Sequence, residues 1–77
     1  MKSHIQIKLF ANLQRFQPGM ADNYAIEPGT TIRSLLQQLN VPEEKAKLIF
    51  VDGIKKDLTC TLKGGERVGI FPPVGGG

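Results

Sequence analysis

Ile32, Leu35, Leu36 and Leu39 recur at i, i+3, i+4 and i+7, and this single apolar stripe constrains the fold more than any other feature. It predicts one main helix with one buried face. Thr31 suits the N-cap, Asn40 can take the left-handed conformation that closes a helix, and Pro42 blocks continuation. A lone amphipathic helix in 77 residues must bury its stripe against strands, and the rest of the chain reads as strands.

Ile5, Ile7 and Leu9 alternate with Gln6, Lys8 and Phe10, the period of a strand with one face on a core. Ala11 to Phe16 is long enough for a turn of helix, and Gln17-Pro18-Gly19-Met20 breaks it before a second strand carrying Tyr24 and Ile26. Glu27-Pro28-Gly29-Thr30 has the Pro and Gly order of a type II turn. After the helix, Pro42-Glu43-Glu44-Lys45 starts a further short turn. Leu48 to Val51, the Asp52-Gly53 turn and Ile54 to Lys56 form a hairpin, and Leu58 and Leu62 are expected to plug the loop that follows. Lys63-Gly64-Gly65-Glu66 turns the chain into a last strand, Arg67 to Phe71. The order ββ, helix, βββ predicts an α+β domain over residues 1–71, a small mixed sheet with the helix across one face.

A helix-containing connection allows the first and last strands to pair in parallel and end at the same edge. Phe10 and Phe71 then close their strands on the face away from Ile7 and Ile70, which sets two aromatic rings side by side. Two readings follow: an apolar anchor for a partner, or peripheral core folded under the Ala11 to Phe16 segment.

Residues 72–77 are expected to be an extended tail. Pro72 and Pro73 fix φ and lack an N–H, so the chain cannot pair back into the sheet. Val74, Gly75, Gly76 and Gly77 follow, and glycine passes the narrowest channel. The extended tail reaches roughly 20 Å, enough to carry a terminal carboxylate into another protein's active site. A glycine-rich end that only frays is the competing reading.

Composition narrows the function. A chain of 77 residues has little room for an enclosed pocket. The net charge of +3 comes from scattered Lys and Arg with no basic stripe and no interleaved aromatic platform, which argues against nucleic acid. No apolar run is long enough to span a membrane, and a lone Cys60 fits a cytoplasmic address without disulfide or metal. His4 and Cys60 are far apart in sequence, while Asp52, Glu43, Glu44 and Glu66 fall in turns and helix starts, so no nucleophile–base or acid pair is evident. What remains is the terminal carboxylate. Once another enzyme spends ATP to make it an acyl adenylate, a sulfur nucleophile can displace AMP and leave a thiocarboxylate.

Leu9-Phe10-Ala11-Asn12-Leu13, Thr31 to Leu36, Val51-Asp52-Gly53, Leu62 to Val68 and Ile70 to Gly77 resemble the ubiquitin-like sulfur carriers of molybdopterin and thiamine biosynthesis (MoaD/ThiS). The resemblance covers essentially the whole chain, and the tail motif is its most specific part. Asp52 stands where asparagine is frequent, Gly65-Glu66 where Gly-Asp is common, and Gly75 where alanine is frequent. The resemblance implies a β-grasp fold. It implies adenylation of Gly77 by a ubiquitin-activating-type adenylyltransferase and thiocarboxylate formation with a sulfur-donating enzyme. The tail Pro72, Pro73, Val74, Gly75 and Gly76 would then thread into the large subunit of molybdopterin synthase, whose catalytic residues act on precursor Z. Phe10 and Phe71 match the family's aromatic interface positions, and the Phe-Ala element favours the molybdopterin synthase small subunit. Thiamine thiazole synthesis, another thiolation pathway and a ubiquitin-like protein modifier are the alternatives. No permanently bound cofactor is implied.

Overall fold

The structure, a computed structural model, describes residues 3–73. Its strands are β1 (Ser3–Leu9), β2 (Tyr24–Ile26), β3 (Thr30–Thr31), β4 (Leu48–Val51), β5 (Ile54–Lys56), β6 (Thr61–Leu62) and β7 (Arg67–Phe71), with helix α1 (Ile32–Leu39) after β3. Five strands form one sheet in the order β2-β1-β7-β4-β5. β1 and β7 are neighbours and run parallel, the pairing that the sequence allows, with Ile7 opposite Val68 and Leu9 opposite Ile70. The other pairs in that sheet are antiparallel.

Parity divides the sheet. Ile5, Ile7 and Leu9 of β1, Val68 and Ile70 of β7, and Ile49 and Val51 of β4 all turn to one face and are buried there. On the helix the four stripe residues are buried, and Leu35 and Leu36 are completely so. Leu13, Ile26, Val41, Ala46 and Leu62 complete this core, and Phe16 packs against it. The stripe of α1 is therefore part of this core, at roughly 25 cal/mol for each Å² of apolar surface removed from water.

The helix ends are satisfied as the sequence predicts. Thr31 Oγ1 accepts from the Ser34 amide at 3.1 Å. Asn40 stands in the left-handed region, and the Val41 amide reaches back to the Leu36 carbonyl at 2.9 Å.

β3 and β6 were not expected. They form a second, two-stranded sheet in which Thr30 pairs with Leu62 and Thr31 with Thr61. Two residues per strand are too few to show a period. Their role is nevertheless clear from the hydrogen bonds. The next amides, of Ile32 and Arg33, donate to the carbonyls of Cys60 and Leu58, both at 3.0 Å, so the loop before β6 receives two of the four helix donors that have no partner within α1.

The turns behave as their residues dictate. Asp52 and Gly53 both have positive φ, which fits a tight hairpin, and Asp52 also accepts from the Arg67 amide at 3.0 Å. Gly64 has φ +130° and lies so close to the start of β1 that a Cβ there would stand 2.5 Å from Ser3 Cβ. Any other residue would force the two segments apart. Among the described residues no helix is long and apolar enough to cross a membrane.

Candidate functional site

The helix covers one face of the sheet, and the opposite face is open. On it lie the alternate residues of the same strands: Gln6 and Lys8 of β1, Arg67, Gly69 and Phe71 of β7, and Phe50 of β4, with Phe10 directly after β1. Phe10 and Phe71 stack with ring centroids 4.0 Å apart and planes 3° from parallel. Phe50 meets Phe71 edge to face at 5.7 Å and 85°. All three are only half-buried.

Local backbone chemistry sets the first ring. The Phe10 amide continues the parallel ladder by donating to the Ile70 carbonyl at 3.1 Å. Its carbonyl accepts from the amide of Leu13, which is buried. Between them Ala11 turns the chain at φ 53°, a conformation that strains any residue with a Cβ. Gln17 then serves as a substitute for a strand along the outer edge of β1, which β2 pairs only through Ser3 to Ile5. Its Oε1 accepts from the Leu9 amide at 2.9 Å and its Nε2 donates to the Ile7 carbonyl at 2.8 Å. The end of β1 that carries Phe10 is thus held on both edges.

The second ring is fixed by the sheet itself. Phe71 lies opposite Leu48 in the antiparallel ladder, and its carbonyl accepts from the Lys47 amide at 2.9 Å. The aromatic cluster opens onto a groove of about 460 Å³ lined by Lys8, Phe10, Phe50, Arg67, Gly69 and Phe71 among others. Its character is apolar at the rings and cationic at Lys8 and Arg67.

The sequence places Phe10 and Phe71 side by side on this face, and there they stand. Leu13 and Phe16, rather than the two rings, are the residues of that segment that pack on the core. Phe50, Gly69 and Gln17 were not singled out. Phe50 was legible in principle, because it alternates with Ile49 and Val51 inside one apolar run and so must face away from them. Gln17 gives no local signal, since its partners lie across the loop.

Pro72 is buried and Pro73 exposed, so the first proline still belongs to the body of the fold where the chain leaves β7. Val74, Gly75, Gly76 and Gly77 lie outside the described residues.

The remaining polar groups have structural duties. Glu66 accepts from the amides of Lys63 and Gly64 at 2.8 and 2.7 Å, closing the turn into β7. Glu43 pairs with Arg33 at 3.1 Å across an exposed surface, a contact worth little. Asp57 is held below the ordinary carboxylate range by hydrogen bonds from the Thr59 hydroxyl and then the Thr59 amide. His4 is exposed and Cys60 half-buried, and they line separate depressions. Among the described residues no three His, Cys, Asp or Glu side chains gather as a metal site would require.

These features can be set beside known proteins. The sequence profile of the ThiS family matches residues 7–77. No curated protein sequence matches the chain. Solved structures do. A Pyrococcus furiosus protein described as molybdopterin converting factor, subunit 1, superposes with a TM-score of 0.62 at 25% identity, covering 94% of this chain and 99% of that one. The HVO 2177 protein of Haloferax volcanii gives 0.76 at 17% identity over 99% of this chain and 88% of that one. Small archaeal modifier protein 1 of the same organism gives 0.68 at 19% identity, covering 94% and 99%. The α+β sheet with one helix across it is the ubiquitin-like β-grasp arrangement.

Proposed function

This chain belongs to the ThiS family, and on that premise we propose that it is a sulfur carrier whose cargo is held at Gly77. A ubiquitin-activating-type adenylyltransferase joins the Gly77 carboxylate to AMP, releasing pyrophosphate from ATP. A sulfide-level nucleophile from a sulfur-donating enzyme then attacks the acyl carbon, AMP leaves, and the thiocarboxylate remains. ATP belongs to the activating enzyme, and this chain holds only the covalent adenylate or sulfur.

The assigned pathway is molybdenum or tungsten cofactor synthesis in the cytoplasm, with this chain as the small subunit of molybdopterin synthase and the chemistry on the large subunit. The observation that carries this reading is the Phe10–Phe71 stack at the point where the chain leaves β7 for Pro72 and Pro73. A half-buried aromatic pair beside a tail is what a partner needs in order to align that tail with its active site. Similarity to the Pyrococcus protein and the Phe10-Ala11 element favour this member of the family over the thiamine carrier.

Reconstitution tests the pathway. The thiocarboxylated chain, mixed with the large synthase subunit and precursor Z, is expected to yield molybdopterin in proportion to the sulfur carried. Stable association with a thiazole synthase instead, and no transfer to precursor Z, would move the chain to thiamine synthesis. A second reading, protein modification through an isopeptide at Gly77, is favoured by the likeness in fold to the small archaeal modifier. It predicts higher-mass conjugates in cells that vanish with Gly77→Ala.

A further inference from the structure

The carboxamide of Gln17 is bonded to β1 in the pattern of a parallel strand. In a parallel ladder one residue donates its N–H to the carbonyl before the residue it stands opposite, and accepts the N–H of the residue after it. Gln17 Nε2 donates to the Ile7 carbonyl at 2.8 Å and Oε1 accepts from the Leu9 amide at 2.9 Å. The side chain therefore stands opposite Lys8, which Gly69 of β7 meets from the other edge. The amide has one possible orientation, since the carbonyl can only accept and the N–H can only donate. Both bonds are partly buried, where water competes less.

The sequence prepares this contact. Pro18 confines the residue before it to extended backbone, and Gln17 has φ −63° and ψ 124°. Its own amide donates to the Gln14 carbonyl at 3.0 Å, which closes the turn that begins after Phe10. Leu13 is buried under that turn, Phe16 packs on the core, and the Arg15 guanidinium stands 5.3 Å from the centre of the Phe16 ring. Gln17 then ties the far end of the turn back to the strand that carries Phe10. Few side chains could do so. Glutamate lacks the donor, lysine and arginine lack the acceptor, methionine has no donor, and asparagine is one methylene shorter.

Phe10 needs such a tie. It follows the last residue of β1, the next residue Ala11 is held at φ 53°, and β2 pairs β1 only through Ser3 to Ile5. A strand end paired on one edge opens locally at low cost in free energy. The Phe10 ring, stacked on Phe71 at 4.0 Å, would then leave its place. We propose that Gln17 is a positioning residue for the carrier's reactions: by standing in for one residue of a parallel strand, it holds Phe10 in the pose in which a partner receives the tail. This inference rests on the carrier reading for the identity of that partner. Gln17 acts through Phe10 alone, so it sets how well the chain is recognised and not how fast the bound chain reacts.

The test is a double-mutant cycle on initial rates of thiocarboxylate formation, with the full chain varied against its adenylyltransferase, ATP and sulfide. Gln17→Met keeps the length of the side chain and removes its donor. It is expected to raise KM for the chain about tenfold and to leave kcat within about twofold. Nuclear Overhauser contacts between the Phe10 and Phe71 rings are expected to weaken in the same variant, measured without enzyme. Phe10→Ala combined with Gln17→Met is expected to match Phe10→Ala alone within about twofold, because the tie has no ring left to hold. Leu36→Ala, a core variant, is expected to leave KM within about twofold at a temperature where every variant is folded. Wild-type KM in Gln17→Met would overturn the proposal. So would additive losses in the pair, which mean that Gln17 touches the enzyme directly, or a KM in Leu36→Ala raised as far as in Gln17→Met. Absence of thiocarboxylate in the wild type defeats the carrier reading. The ring contacts then decide the positioning by themselves, and their persistence in Gln17→Met overturns it.

Discussion

The two faces of the five-stranded sheet are built from the same strands, one residue out of step, and they differ sharply in burial. Toward α1, Ile5, Ile7, Leu9, Ile49, Val51, Val68 and Ile70 are all buried and meet the helix stripe without a polar atom among them. Toward solvent, Lys8, Phe10, Phe50, Arg67 and Phe71 surround a glycine and leave three rings half-exposed. Phe10, Phe50 and Phe71 pack on one another yet gain less from burial than the core side chains do, which suits the proposed docking of a partner on this face. The difference shows how strand period sorts side chains: each apolar residue on an even or odd step joins the helix-covered core or the open face.

The comparison breaks first at the helix. Leu36→Ala removes a fully buried side chain, and denaturant unfolding should show a loss of roughly 2 to 5 kcal/mol. The fraction that remains folded should still bind partners normally. A matching loss of partner affinity at full occupancy of the folded state would mean that the faces are not independent.

Phe10→Ala should invert that pattern. The ring is half-buried, so thermal or denaturant unfolding should register roughly 1 to 2 kcal/mol from the lost stack and area. Affinity for the activating enzyme should fall by about thirtyfold, the behaviour of an aromatic anchor. A stability loss as large as that of Leu36→Ala, with affinity intact, would return Phe10 to the core.

Gln17→Ala sharpens the boundary between the two. It deletes both hydrogen bonds to the edge of β1, and the stability should fall by about 1 to 2 kcal/mol. Hydrogen exchange at Leu9 and Phe10 should accelerate, because the local clamp is gone. Unchanged exchange at Leu9 would show that the strand end is held by β7 alone.

Ala11→Gly should have the smallest effect and the opposite sign. Relief of the positive φ outweighs the extra freedom of glycine in the unfolded chain, giving a gain of up to about 1 kcal/mol in the melting transition. A loss would mean that the Ala11 methyl has a packing role that its exposure does not suggest.

Much of this division was legible before any coordinates. The helix stripe and the Thr31 and Asn40 caps follow from periods and turn chemistry, which are local. The meeting of Phe10 with Phe71 follows from parity once the first and last strands are taken as parallel neighbours, as they are. Three features were not local. β3 and β6 hold only two residues each, and their pairing is visible only once the loop folds against the start of α1. Gln17 replaces a strand through its side chain, which no propensity records. Phe50 joins the rings because β4 lies next to β7, and strand neighbourhood, unlike strand period, is decided by the whole chain.

These variants concern the body of the fold and its docking, whereas the account stands on what Gly77 becomes. The direct measurement is the intact mass of the chain after incubation with its adenylyltransferase, ATP and sulfide, with fragmentation to locate the change. We predict one sulfur in place of one oxygen at Gly77, dependent on ATP and absent in Gly77→Ala. An unaltered mass with an active enzyme, or a sulfur found on Cys60 instead, would contradict the account.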